Sequence, residues 1–171
     1  MNRKKKGAFL CAAAGVLALA VLLSGIWYAW PLPFAVFSVN ETNAEGIDCL
    51  VMEAGVREGT PIIDTYRLQT KEGEEIQDMM ELLKSSSYSR SYKNLLPKAA
   101  VSLGSENGNG NSVTVSITLL YKNGSDNFLF LDNGNGRLMK QDGQAVYFKA
   151  DKKLAENLAG YVKEKGVKQN Q

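Results

Sequence analysis

The chain has 171 residues, 20 Lys and Arg against 18 Asp and Glu, two cysteines and no histidine. Such a length allows one modest domain once any N-terminal segment is set aside. The missing histidine removes the commonest general base and metal ligand, and with them a Ser-His-Asp triad or a Cys-His pair.

The first element is an uncharged run from Gly7 to Trp30, preceded by Arg3, Lys4, Lys5 and Lys6. No acidic residue precedes it, so the rest of the chain carries 16 basic and 18 acidic residues, a net charge of −2. A near-neutral domain of interspersed sign has no electrostatic footprint for nucleic acid. At about 1.5 Å per residue the apolar run is expected to cross a hydrocarbon core of roughly 30 Å. The basic cluster then sets a cytoplasmic N-terminus, Trp27, Tyr28 and Trp30 mark the far headgroup layer, and Pro31 and Pro33 stop the helix. A cleaved signal peptide is the rival reading, disfavoured by the poor small-residue site at Leu23-Ser24-Gly25 and by the bulky aromatics that follow it. Cys11 lies in this run and Cys49 far outside it, so no disulfide is expected.

The expected organisation is a basic cytoplasmic stub over 1–6, a transmembrane signal-anchor over 7–30 and a juxtamembrane linker over 31–37. An extracytoplasmic α+β domain over 38–165 and a polar tail over 166–171 follow. Phe34 to Val39 reads as an extended exit, and Ile47 to Met52 and Ile62 to Leu68 as strands around a Gly-containing turn. Ile76, Met79, Met80 and Leu83 recur at helical spacing, with Glu74 and Glu75 in the first turn and Lys84 in the last, which predicts an amphipathic helix. Ser85 to Tyr92 reads as a polar loop, Pro97 as the end of an irregular stretch, and Ser105 to Asn111 as a loop tip. Val113, Val115, Ile117 and Leu119 alternate with Ser and Thr in the clearest strand of the chain. Turns at Asn123-Gly124, Asn133-Gly134 and Asp142-Gly143 then build an antiparallel meander. Asp151 caps a last helix whose stripe is Leu154, Leu158, Tyr161 and Val162. The predicted fold class is α+β: an N-terminal transmembrane helix, then a small antiparallel sheet of four or five strands packed by two helices.

The order of elements carried by Ile62–Leu68, Ile76–Leu83, Ile117–Tyr121 and Tyr147–Tyr161 resembles small exported domains of unknown function from low-GC Gram-positive bacteria. The resemblance implies a fold and a location in the bacterial envelope. It lends no catalytic residue, because none is established in those domains.

The chemistry-bearing residues read mainly as structure. Ser85, Ser86 and Ser87 after Lys84 form a solvated connection more readily than a Ser-Lys pair. Cys49 in its apolar run reads as a small buried hydrophobe. Glu74, Glu75, Asp78 and Glu81 sit opposite the apolar stripe, where a solvated helix face belongs, although paired carboxylates can serve acid-base work or hold a cation. Asp132 to Gly136 has the flavour of a calcium loop but lacks a glutamate at the twelfth position, where Gly143 stands. No catalytic residue, cofactor or metal is therefore expected. Tyr88, Arg90 and Tyr92, two tyrosines and an arginine in a polar stretch, form the candidate contact surface. The expected function is a membrane-anchored extracytoplasmic binding module, not an enzyme, with the membrane and an envelope protein or wall component as partners. The alternative is an atypical carboxylate- or metal-dependent hydrolase.

Overall fold

A computed structural model describes residues 3–37, 39, 41–95, 112–124, 126–140 and 143–169 of the chain. Helix α1 spans Arg3–Ala29 and is followed by a 3-10 turn at Phe34–Phe37 and another at Glu41–Asn43. Strands β1 (Ala44–Arg57) and β2 (Thr60–Thr70) form a long hairpin, and α2 spans Gly73–Ser85. The short strand β3 (Tyr88–Arg90) leads into a 3-10 turn at Tyr92–Leu95. Strands β4 (Ser112–Tyr121), β5 (Asp126–Asp132), β6 (Asn135–Met139) and β7 (Ala145–Ala150) form the meander, and α3 (Lys152–Lys165) and β8 (Val167–Gln169) close the described chain. Among the described residues the eight strands make one antiparallel sheet in the order β3-β7-β6-β5-β4-β1-β2-β8.

These findings correct the expected fold. No helix among the described residues is long and apolar enough to cross a membrane. The transmembrane helix, the integral membrane partner and the single-pass topology, with its cytoplasmic N-terminus and extracytoplasmic domain, are overturned together. The sheet also has eight strands where four or five were expected. Phe34–Phe37 is a 3-10 plug with both phenylalanines buried, not an extended exit. The serine-rich stretch contains β3, and the polar tail contains β8. The features expected at Pro97 and at Ser105 to Asn111 lie outside the described residues.

The core follows from alternation along each strand. Ile47, Cys49 and Val51 of β1, Val115, Ile117 and Leu119 of β4, and Leu129 and Leu131 of β5 are all buried on one face. Ile76, Met79, Met80 and Leu83 of α2 and Leu154, Ala155, Leu158, Ala159 and Val162 of α3 cover that face. The Asp151 side chain accepts from the Lys153 N–H at 3.0 Å, which fixes the start of α3. Phe34, Phe37, Tyr88 and Phe148 close the β3–β7 end, with ring centroids of neighbouring pairs 4.7–5.8 Å apart. Gly136 is what lets Phe148 lie flat on β6, because a Cβ at that position would fall inside the Phe148 ring. Gly166 has a similar role at the end of α3, where a Cβ would stand 2.5 Å from the Arg67 carbonyl oxygen.

Candidate functional site

The helices cover one face of the sheet, and strand register assigns the residues of the other. Because successive side chains alternate, partners across each ladder share a face. Three rungs result. The first runs Gln69, Asp48, Thr118, Phe128, Met139 and Ala145. The second runs Val167, Arg67, Leu50, Ser116, Phe130, Arg137 and Tyr147. The third runs Gln169, Thr65, Met52, Thr114, Asp132, Asn135 and Lys149.

The middle of this face is apolar. Leu50, Met52, Phe128, Phe130 and Met139 are half-buried, and the Phe128 and Phe130 rings stack at 6.4 Å. Its edges are mostly polar, Val167 and Ala145 apart. Arg67 donates to both carboxylate oxygens of Asp48, at 2.8 Å from Nε and 2.5 Å from Nη2. With Leu50, Ser116, Thr118 and Gln169 this pair lines a shallow, open hollow of about 270 Å³. Lys149 and Gln169 are exposed at the two sides.

At the β5–β6 hairpin the polar groups are buried. Asp132 is 8% exposed, and its Oδ1 has no hydrogen-bond partner among the described residues. Burial pushes its carboxyl above the ordinary carboxylate value, against the nearby Lys93 charge, which acts the other way. Arg137 Nε is likewise buried and without a hydrogen-bond partner there. Asn133 and Gly134, at φ 44° and 82°, make the two-residue turn that sets Asp132 opposite Asn135 and Phe130 opposite Arg137. Beside this hairpin the 3-10 turn at Tyr92–Leu95 is held on the edge of β7. Asn94 donates to the Tyr147 carbonyl at 2.7 Å and accepts from its N–H at 2.8 Å.

The three residues singled out from the sequence go to three different places. Tyr88 is 1% exposed, lies in the aromatic cluster and donates its hydroxyl to the Leu83 carbonyl at the end of α2. Burial holds that hydroxyl well above the ordinary tyrosine value. Arg90 donates to the Trp27 carbonyl at 2.8 Å and stacks 3.9 Å from the centre of the Trp27 ring, tying α1 to β3. Tyr92 is 56% exposed. Arg90 and Tyr92 therefore share no surface with the Tyr88 ring.

The other candidates have structural roles. Cys49 is buried between the helices and the sheet, and burial followed by the Asp48 charge pushes its thiol up to about 12, so it offers no thiolate at neutral pH. Asp78 of α2 accepts from the Tyr161 hydroxyl at 3.2 Å, joining the two helices. Ser85 Oγ donates to the Leu82 carbonyl at 2.9 Å in the last turn of α2. Among the described residues no three of His, Cys, Asp and Glu gather into a potential metal site. Comparison of the chain with protein-family models, with curated proteins and with solved structures returns no match.

Proposed function

We propose that the protein is a non-catalytic binding module whose recognition surface is the face of the sheet opposite α2 and α3, and that its partner is another protein. One observation carries this reading: that face has an apolar centre of Leu50, Met52, Phe128, Phe130 and Met139 with a polar rim. This is the anatomy of a protein interface, in which an aromatic and Met-rich middle is ringed by polar side chains. From β2 to β7 the face is about 25 Å wide and about 15–20 Å tall, roughly 400–500 Å². That is about half of one side of a standard interface of about 800 Å² per partner. The hollow at Asp48 and Arg67 is too open to enclose most of a small ligand, as a typical small-molecule pocket does. A binding role without catalysis also suits a chain that lacks histidine and keeps Cys49 in its core.

Affinity capture with the tagged full chain tests the reading, with Leu50→Glu and Phe130→Glu as the face variants and Glu74→Lys on α2 as the control. A protein retained by wild type and control and depleted at least tenfold by both face variants is the expected result. Tenfold corresponds to about 1.4 kcal/mol, a modest cost for a charge placed within an apolar interface. Equal retention by all four proteins would refute the surface assignment.

A further inference from the structure

The hollow on the β2 side of the sheet lies on the face assigned above, and what it receives rests on that reading. Asp48 and Arg67, diagonal neighbours across the β1–β2 ladder, both line it. Arg67 reaches the two Asp48 oxygens through Nε and Nη2, so one edge of its guanidinium is engaged. A guanidinium carries five N–H donors in a rigid fork. The other edge, Nη1 with the second N–H of Nη2, makes no hydrogen bond among the described residues. Arg67 is also the more open partner, its side chain 45% exposed against 25% for Asp48. The hollow of about 270 Å³ is open to solvent, so a group from outside reaches this edge without moving the fold.

The chemistry of the open edge selects its occupant. A cation would meet the guanidinium and find the Asp48 oxygens already paired. A neutral amide offers a single acceptor. A carboxylate matches the fork with two parallel bonds, and Ser116 and Thr118 place hydroxyl donors in the same hollow. Asp48 opposes a second anion by its charge, yet it also fixes the guanidinium, so less side-chain freedom is lost on binding. We propose that Arg67, held by Asp48, receives the side-chain carboxylate of an Asp or Glu of the protein partner on the free edge of its guanidinium. Three strand steps of about 4.8 Å separate β2 from β5, which sets this carboxylate about 14 Å from the partner's apolar group over Phe130. An exposed charge contact of this kind adds specificity more than affinity.

Acetate, acetamide and acetamidinium, isosteric and of charge −1, 0 and +1, are titrated into the ¹⁵N-labelled full chain at constant ionic strength. The Arg67 Nε–Hε signal and the amides of Leu50, Ser116 and Thr118 report on the hollow. Acetate is expected to shift them saturably and to bind at least fivefold more tightly than the other two. Arg67→Gln should abolish the response, and Arg67→Lys, which keeps the charge and loses the fork, should weaken it at least threefold. A preference for acetamidinium, no saturable shift, or an Arg67→Lys response equal to wild type would overturn the proposal. In the capture experiment Arg67→Gln is expected to retain at least fivefold less partner than wild type, with Arg57→Gln at the hairpin end as the control. If Leu50→Glu and Phe130→Glu lose the partner and Arg67→Gln does not, the carboxylate assignment alone falls; if none of the three loses it, the surface assignment falls as well.

Discussion

Replacing Tyr88 by phenylalanine removes one hydroxyl and leaves the ring, so it isolates the bond between β3 and the end of α2. The hydroxyl donates to the Leu83 carbonyl, one of the last four of α2, which has no partner within the helix. Losing a buried neutral hydrogen bond costs about 0.5–1.5 kcal/mol, and a carbonyl left without a partner raises this towards 3 kcal/mol. Tyr88→Ala removes the ring as well, and deletion of a fully buried aromatic costs about 3–5 kcal/mol. The expected pair is therefore about 1–2 kcal/mol for Tyr88→Phe and at least about 3 kcal/mol for Tyr88→Ala. Urea unfolding of the full chain measures both, and an unchanged slope shows that only stability moved. In a domain of this size 1 kcal/mol corresponds to about 2–4 °C in Tm. A Tyr88→Ala cost below about 1 kcal/mol would refute the buried placement and return Tyr88 to the surface as a contact residue.

Three further outcomes follow from the same geometry. Gly136→Ala forces Phe148 off β6 and should cost about 1–3 kcal/mol by thermal unfolding, with part recovered in Gly136→Ala/Phe148→Leu; an unchanged Tm would contradict the close approach. Cys49 ionises near 9 in the unfolded chain and near 12 in the fold, so stability is intact below pH 9 and falls by up to about 1.4 kcal/mol per pH unit from 9 to 12. Cys49→Ala, though less stable at neutral pH, should lose this part of the alkaline slope, and an identical slope would rule the thiol out as its source. A double-mutant cycle on Asp48 and Arg67, a bidentate pair at the surface, should give a coupling of about 0.5–1 kcal/mol that shrinks in 1 M salt.

The helices were the most legible part of the fold. Ile76, Met79, Met80 and Leu83 are the buried side of α2, as their spacing predicts, and Asp151 does cap α3. Local pattern was enough there because the apolar stripe and the cap lie within one element. Strand β3 was hidden because Ser-rich Tyr88–Arg90 has no alternation of its own and becomes a strand only by pairing with β7. Strand β8 was hidden for the same reason, since its three exposed residues are ordered by Thr65, Tyr66 and Arg67 of β2. The Tyr88 to Tyr92 segment looked like a contact loop because residue types alone do not say which tyrosine is buried. Phe34, Phe37 and Phe148 decide that, and they lie more than fifty residues away from it in both directions.

The face opposite α2 and α3 shows where sequence reading stops and register begins. In β5 the run Phe128-Leu129-Phe130-Leu131 is apolar without interruption, so no alternation says which pair faces the helices. Pairing with β4 decides it: Leu129 lies opposite Ile117 and Leu131 opposite Val115, both buried, which leaves the phenylalanines on the other side. The Asn133-Gly134 turn then carries that choice into β6. Its two-residue length fixes Asp132 opposite Asn135 and so sends Arg137 to the phenylalanine face and Leu138 to the core. A slip of one residue would bury the guanidinium beneath the helices and expose Leu138, at a cost of several kcal/mol. Core packing and the placement of Asp132 with Arg137 thus rest on the same turn, which makes the hairpin at Asn133 and Gly134 the element that sets both the core register and the character of the proposed surface.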